Sequence, residues 1–287
     1  MAVVVAGYIF KRQRQCSAFS HSGSPGARKC RRALDNRGLA MARDILTQQA
    51  LAQAMTDMPP FYRSIIPLSS DTHRGLGLAS DAPFAFATGS HLVPAIVDEF
   101  AAACADLPIL FALQGDIPVP VFLTGLVPGR NSFVSPKGMW TGKHVPAYIR
   151  RYPFILGEVE GGTPVICIDD KAEVLKSSGD RHLPLFKPDG SATDRLNACI
   201  ALVTDYAAAA KRTDTMCTLL RDLKLLTPVT IQNKARGGAI TGLHSIDNAA
   251  LNALPDKDYL RLRANETLGA IYAQLISLRA IEHLSRA

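Results

Sequence analysis

Short apolar runs joined by glycine-containing turns restrict the fold more than any other feature of the chain. Residues 107–113 and 118–126 are apolar and flank a turn at Gly115, which predicts a β-hairpin. Residues 154–159 and 164–169 flank a second glycine-containing turn and predict another hairpin. Antiparallel strands can be joined by such short connections, whereas parallel strands need a long crossover. The pattern therefore predicts an antiparallel sheet built from short hairpins.

Other segments before the last third of the chain carry weaker local signals. Residues 84–87 are predicted to form a short strand, and residues 93–106 a helix with apolar side chains four residues apart. The two prolines within residues 118–126 cannot donate ladder hydrogen bonds, so we expect that strand at a sheet edge or at its entry. Residues 229–232 and 239–246 predict one more strand pair.

The last third of the chain is dominated by helical periodicity. Ser191 is predicted to open a long helix, with Asp194 three residues on in a capping-box-like arrangement and Pro228 after its end. The apolar stripe becomes polar at residues 212–215, so a break there and a straight rod both remain open. Residues 256–287 predict a further helix. The fold class predicted is α+β, with the sheet packed against long C-terminal helices.

The positive net charge is confined to the start of the chain. The total is +7, and residues 1–55 hold nine Lys or Arg against two acids, whereas residues 56–287 are balanced. We interpret residues 1–57 as a basic, disordered extension and residues 58–287 as a single domain. A balanced domain has no bulk attraction to polyanions, so no nucleic-acid partner is expected.

The N-terminal residues allow more than one origin. An over-extended translation start, with Met41, Met55 or Met58 as the true start, is one interpretation, and an organelle transit peptide is another. The charges follow the apolar stretch rather than precede it, which does not fit a secretory signal. No apolar run is long enough to span a bilayer. The six cysteines include no CxxC pair, so we expect reduced thiols and a cytoplasmic location.

Motifs of common catalytic sites are absent from the sequence. It contains no GxSxG, no GxxxxGK[ST], no GxGxxG after a strand and no HExxH. The seven histidines are dispersed and lack the pair spacing of metal ligands. We therefore expect no catalytic residues, no metal and no cofactor, and whether the chain is an enzyme stays open.

The most distinctive segment is WTGKHVPAYIRRYPF at residues 140–154, which begins with the only tryptophan. On a helix Tyr148 and Tyr152 share a face, whereas Arg150 and Arg151 diverge by about 100°. One interpretation is that an arginine with aromatic neighbours binds a carboxylate, phosphate or sugar in a cleft. The other is that the aromatic rings fill the core while the arginines hold loops or lie in water. The candidate ligand-binding residues are Trp140, Tyr148, Arg150, Arg151, Tyr152 and Asp169.

Asp169 joins this set because it ends an apolar strand. An acid at that place can serve as a metal ligand or a general base, and it can equally cap a turn through backbone hydrogen bonds. The sequence leaves both roles open, although the turn is the commoner one.

Several segments together resemble the SapC family of bacterial proteins. The resemblance covers residues 58–286, and the shared stretches are FYRSIIPLSSDTH, FAFATGSHLVP, WTGKHVPAYIRRYPF, CIDD, LPLFKPDG and LKLLTP. The resemblance implies a link to the bacterial surface layer, after which the family is named. It implies no catalytic residues, because most relatives have no assigned activity.

Three functions follow as hypotheses. The first is a non-enzymatic accessory or structural protein of the surface layer or cell envelope, located at the cell surface. The second is a small-molecule- or glycan-binding domain, with or without enzymatic activity, that uses residues 140–152. The third is an intracellular protein that binds a protein partner through its long helices. The ligand expected in the second case is small and polar or anionic, and the oligomeric state stays open.

Overall fold

The computed structural model describes residues 3–5, 58–81, 83–159, 162–177, 182–233 and 237–284. Within these ranges the strands form three sheets, and every strand pairing is antiparallel. All elements below belong to the unit that holds residues 60–287 and the first strand. The prediction of an α+β fold with antiparallel hairpins is confirmed.

The largest sheet contains two of the predicted strand pairs. Its order is β11-β12-β5-β6-β4, and both the β5–β6 and the β11–β12 pairs lie where the sequence predicted them. Gly115 joins β5 to β6 with a positive φ of 65°, a conformation that glycine adopts without strain. The strands are β4 (Leu92–Pro94), β5 (Ile109–Gln114), β6 (Ile117–Leu123), β11 (Leu226–Gln232) and β12 (Ala239–Ile246).

Strand β6 is not an edge strand, and its prolines lie instead in its entry half, which is the other place that the sequence allowed. It lies between β5 and β4, but β4 pairs only with residues 121–123. Pro118 and Pro120 therefore occupy the half of β6 that does not pair with β4. The one hydrogen bond to this half from the β4 side runs from Ala95 N to Pro120 O. The missing N–H groups cost no ladder bond there.

The second predicted hairpin forms the centre of another sheet. β7 (Phe154–Val159) pairs with β8 (Val165–Asp169), and the flanking strands are β1 (Val3–Val5) and β2 (Ile65–Pro67). A third, small sheet has the order β10-β3-β9. Its strands are β3 (Gly77–Ala79), β9 (Leu175–Lys176) and β10 (His182–Pro184).

The long helix is a continuous rod. It is α4 (Asp194–Asp222), and Thr193 caps it by accepting a hydrogen bond from Leu196 N, so it starts three residues after Ser191. Its 29 residues span about 43 Å. No break occurs at residues 212–215, where the hydroxyl groups of Thr213 and Thr215 donate to carbonyls four residues earlier in the same helix.

The remaining helices are short. α1 (Ser70–His73), α2 (Phe100–Ala103) and α3 (Ala147–Arg150) each make about one turn. The C-terminal region is divided into α5 (Asn248–Asn252), α6 (Asp256–Ala264), α7 (Thr267–Ser277) and α8 (Ile281–Leu284). The single helix predicted over residues 256–287 is thus interrupted at Glu266, which has a positive φ of 56°.

Two apolar cores lie against α4, one toward each end. Leu196 and Val203 pack with Phe154 and Ile168 of the β7–β8 hairpin. Met216, Cys217, Leu219 and Leu220 pack with strands of the largest sheet and with helices α2 and α7. Tyr206 is buried on α4 between these two groups. The helix therefore packs against both cores, although their strands belong to different sheets.

Two local predictions are wrong. Residues 84–87 contain a 3₁₀ helix (Ala85–Ala87) rather than a strand. Residues 93–106 are divided among β4, a 3₁₀ helix (Val97–Glu99) and α2 instead of forming one helix. In both places tertiary contacts override a weak local preference, since Phe86 packs on Tyr152 and Leu92–Pro94 pairs with β6.

The predicted basic extension lies outside the described residues except for β1. Its boundary with the domain at residue 58 remains a prediction.

Candidate ligand-binding site

The segment at residues 140–154 leads into β7 and passes beside the middle of α4, where Tyr148 packs on Tyr206. It contains α3, which begins after Pro146, where a missing N–H costs no helical hydrogen bond. The helix ends at Arg150 and makes about one turn, so Tyr152 lies beyond it, and the peptide bond between Tyr152 and Pro153 is cis. Arg150 and Arg151 leave α3 in different directions, as the helical spacing predicts.

Arg151 is enclosed by tyrosine rings. Its guanidinium carbon lies 4.4 Å from the Tyr148 ring centre, 4.2 Å from that of Tyr206 and 5.7 Å from that of Tyr62. Only 4% of Arg151 is exposed, and its Nε has no hydrogen-bond partner among the described residues. A buried cation normally needs a counter-charge, and here the negative ring faces supply part of that stabilisation. We call these four residues the tyrosine cage.

The titration of the cage follows from its burial. Burial raises the pKa of Tyr62 to about 12, while Arg151 lowers it and Asp169 adds to the rise. Burial lowers the pKa of Arg151, but the three tyrosines outweigh that effect and raise it overall. At neutral pH the cage therefore holds one cation among neutral phenols.

Asp169 stabilises the turn on which the cage rests. Its side chain is fully buried and accepts backbone hydrogen bonds from Arg63, Ser64 and Lys171. It also accepts one from the Tyr152 hydroxyl at 3.1 Å. Burial, and then the charge and hydrogen bond of Asp169, raise the pKa of Tyr152. A carboxylate with four donors has little capacity left for a metal or a proton-transfer role.

Arg150 points away from the cage toward a buried acid. Its Nε donates to Val145 O at 3.0 Å, and its Nη2 donates to Glu99 Oε1 at 3.2 Å. The same Glu99 oxygen accepts from Ala147 N at 2.8 Å and lies 2.9 Å from His144 Nε2. Glu99 therefore fixes the segment on both sides of Pro146 and holds the Arg150 guanidinium in one place.

A cavity of about 250 Å³ opens beside Arg150. The first turns of α4 contribute Arg195 and Cys199, and Tyr152 and Phe84 supply aromatic walls. Arg195 is exposed and makes no ion pair with any described residue. None of the residues that line the cavity is acidic. They are Leu78, Ala79, Pro83, Phe84, Ile149, Arg150, Tyr152, Val174, Arg195 and Cys199.

The structure unites some of the predicted site residues and separates others. Two predicted residues, Tyr148 and Arg151, belong to the tyrosine cage. Asp169 accepts a hydrogen bond from Tyr152 beside the cage, and the cavity is lined by Tyr152 and Arg150. Trp140 stacks on Phe133 at 5.3 Å and meets Phe84 edge-on at 6.3 Å, so only Phe84 connects it to the cavity.

Sequence reasoning missed Tyr62, Glu99, Arg195 and Tyr206. Each comes from a distant part of the chain, and nothing in its own neighbourhood marks it as a partner of residues 140–154.

The fold and the site define an α+β protein with a small cavity that carries positive charge. The family model for SapC matches residues 68–284, which is most of the chain, and the chain belongs to the SapC family. No curated protein and no solved structure matches it. Among the described helices none is both long and apolar enough to cross a membrane. The described part of the chain also contains no group of three or more His, Cys, Asp or Glu placed to hold a metal ion.

Proposed function

We propose that this SapC-family chain binds a small anionic ligand in the cavity between Arg150 and Arg195. The observation that carries the proposal is the cavity's charge: Arg150 and Arg195 line it, none of its described lining residues is an acid, and because Arg150 pairs with Glu99 the unbalanced charge is that of Arg195. Guanidinium groups donate paired hydrogen bonds to carboxylates and phosphates. The aromatic walls favour a ligand whose anionic group is attached to an apolar body.

The position of Arg195 supports this function. It lies in the first turn of α4, where the helix dipole disfavours a cation. It gains no compensating ion pair from the described residues. A charge that reduces helix stability and faces a cavity is better explained by a ligand than by folding.

Arg150 supports it from the opposite wall. Because Glu99 and Val145 O already fix its guanidinium, less side-chain freedom is lost when a ligand binds. The volume of about 250 Å³ is below the usual range for drug-sized ligands, so the ligand is small.

Calorimetric titration with phenyl phosphate tests the proposal. We expect saturable binding that is about tenfold weaker in Arg195→Gln, because a charge-assisted hydrogen bond is lost. Lys211→Gln is the matched control, since it removes a cation from the same helix away from the cavity, and it should bind as the unchanged protein does. Equal affinity in all three proteins, or no binding, would contradict the proposal.

We also propose that the chain acts without catalysis, as an accessory protein of the surface layer or cell envelope. Family membership supports this role, and so do exposed apolar side chains on the C-terminal helices: Leu260, Tyr272 and Ile276 are each about half exposed. Labelling of intact cells with a membrane-impermeant amine reagent tests the location. Labelling of this chain supports the cell-surface role, whereas recovery of unlabelled chain in the cytoplasmic fraction supports an intracellular binding protein.

A further inference from the structure

A second, larger cavity lies at the other end of α4, and it goes beyond the function proposed above. Its volume is about 490 Å³, within the usual range of small-molecule sites. It is bounded by α4, by the 3₁₀ helix and α2 that follow β4, and by the junction between α6 and α7. None of its lining residues belongs to the segment at residues 140–154.

The floor of this cavity is apolar. Phe100 and Met216 are almost fully buried and form part of the core beneath it, and Ala270 belongs to the same core. Val97 and Ala101 complete the apolar wall. A ligand that fills the cavity therefore buries an apolar body against these side chains.

The rim carries one charge that the protein leaves unbalanced. Arg212 binds Asp98 through two hydrogen bonds, Nε to Oδ1 at 3.1 Å and Nη2 to Oδ2 at 2.6 Å, so these two charges cancel. Glu266 also lines the cavity and forms no ion pair with any described residue. The lining residues thus have a net negative charge, opposite to that of the cavity at Arg195.

We propose that this second cavity binds a small organic cation, an ammonium group joined to a short apolar body. Glu266 supplies the counter-charge, and the floor of Phe100 and Met216 receives the apolar part. The Asp98–Arg212 pair closes the α4 side of the rim and prevents Arg212 from repelling the ammonium group.

Titration of the full chain with n-butylammonium, followed by calorimetry at low salt, tests this inference. We expect saturable binding in the unchanged protein, and binding about fivefold weaker in Glu266→Gln, as for an exposed ion pair. The matched control is Glu282→Gln, which removes an exposed acid on α8 and should leave the affinity unchanged. n-Butanol has the same chain without the charge and should bind more weakly.

Each result decides the inference. No saturable binding of n-butylammonium in the millimolar range would overturn it. Equal binding of n-butanol, or no effect of Glu266→Gln, would also overturn it, because the cavity would then recognise only apolar surface. A parallel titration with an N-acetylated lysine amide identifies the source: tighter binding than n-butylammonium indicates a lysine side chain of a partner, and weaker binding indicates a free amine. Both of these outcomes support a cation site.

Discussion

The two cavities of this protein use the same helix but differ in charge. The one near the start of α4 is lined by Arg150, which pairs with Glu99, and by Arg195, which forms no ion pair with any described residue. The one near its end is lined by Arg212, which pairs with Asp98, and by Glu266, which forms no ion pair with any described residue. Their midpoints on α4 are separated by roughly 17 residues, or about 25 Å. At 100° per residue, the face bearing Arg212 and Met216 is turned by roughly 100° from the face bearing Arg195 and Cys199. One helix thus presents opposite electrostatic environments to two places on the surface.

The tyrosine cage meets α4 at a position between the two cavities. Tyr206 is buried midway along α4 and contacts Arg151, and Tyr152 lies beside the cage and lines the first cavity. The described lining residues of the two cavities do not overlap. Of the two adjacent arginines that the sequence marks, Arg151 belongs to the cage and Arg150 lines a cavity.

The largest effect on this arrangement is expected from Arg151→Ala. Truncation leaves a cavity among three rings and removes the cation they surround, so the free energy of unfolding should fall by about 3 kcal/mol. Urea denaturation followed by tyrosine fluorescence measures it. Arg151→Met refills the space without a buried charge and should recover most of the loss. A change below about 0.5 kcal/mol in the alanine variant would show that the cage does not support the fold.

A pH titration of stability examines the cage by a second route. Burial raises the pKa of Tyr62 to about 12 in the folded protein, from the ordinary tyrosine pKa of about 10, so the neutral phenol is favoured by folding. Its contribution is complete below pH 10 and is lost as the pH rises toward 12, by about 3 kcal/mol over that interval. The unchanged protein should therefore lose more stability between pH 10 and 12 than Tyr62→Phe does. Parallel curves for the two proteins would contradict the burial of this phenol.

A smaller effect should distinguish the two thiols of α4. Burial raises the pKa of Cys217 to about 12, with Asp214 adding to the rise, so this thiol should stay unmodified in the folded protein. Cys199 borders the first cavity, where burial raises its pKa but Arg195 lowers it. Iodoacetamide labelling mapped by mass spectrometry should modify Cys199 first, and Arg195→Gln should slow it about threefold. Faster labelling of Cys217 than of Cys199 would show that the cavity is closed.

The smallest effect is expected at the rim of the second cavity. The side chains of Arg212 and Asp98 are 56% and 42% exposed, so solvent screens their ion pair and it should contribute little to folding. A double-mutant cycle with Arg212→Ala and Asp98→Ala measures that coupling. The binding of n-butylammonium should weaken in Asp98→Ala alone, because Arg212 then loses its counter-charge. Unchanged binding of n-butylammonium in Asp98→Ala would show that the Asp98–Arg212 ion pair does not affect the cation site.

The fold was predictable where the signal is local. The β5–β6 hairpin follows from the glycine turn at Gly115, and the β7–β8 hairpin follows from the same kind of signal. The failure at residues 84–87 has a physical reason: Phe86 is fixed by Tyr152, at 4.1 Å between ring centres, and not by strand pairing. The polar stretch of α4 at residues 212–215 is explained by Thr213, which is buried and accepts a hydrogen bond from Val97 N on a distant segment.

The site was predictable only within one segment. Helical spacing correctly separates Arg150 from Arg151, because both directions are set by α3 itself. Their partners are not set by it: Glu99 lies 51 residues before Arg150, and Tyr62 and Tyr206 come from segments on opposite sides of residues 140–154 in the chain. A single sequence contains no record of such long-range pairing. The charge of a cavity likewise appears only when the chain is folded.

The unbroken length of α4 has a consequence for how the protein opens. The helix belongs to both apolar cores, so fraying from either end of α4 first removes packing from the core at that end. Fraying that continues inward then reaches the tyrosine cage, which borders the second core. We expect the two cores to behave as one cooperative unit in amide hydrogen exchange, with the slowest amides in the stretch of α4 around Tyr206 and protection decreasing toward both cavities.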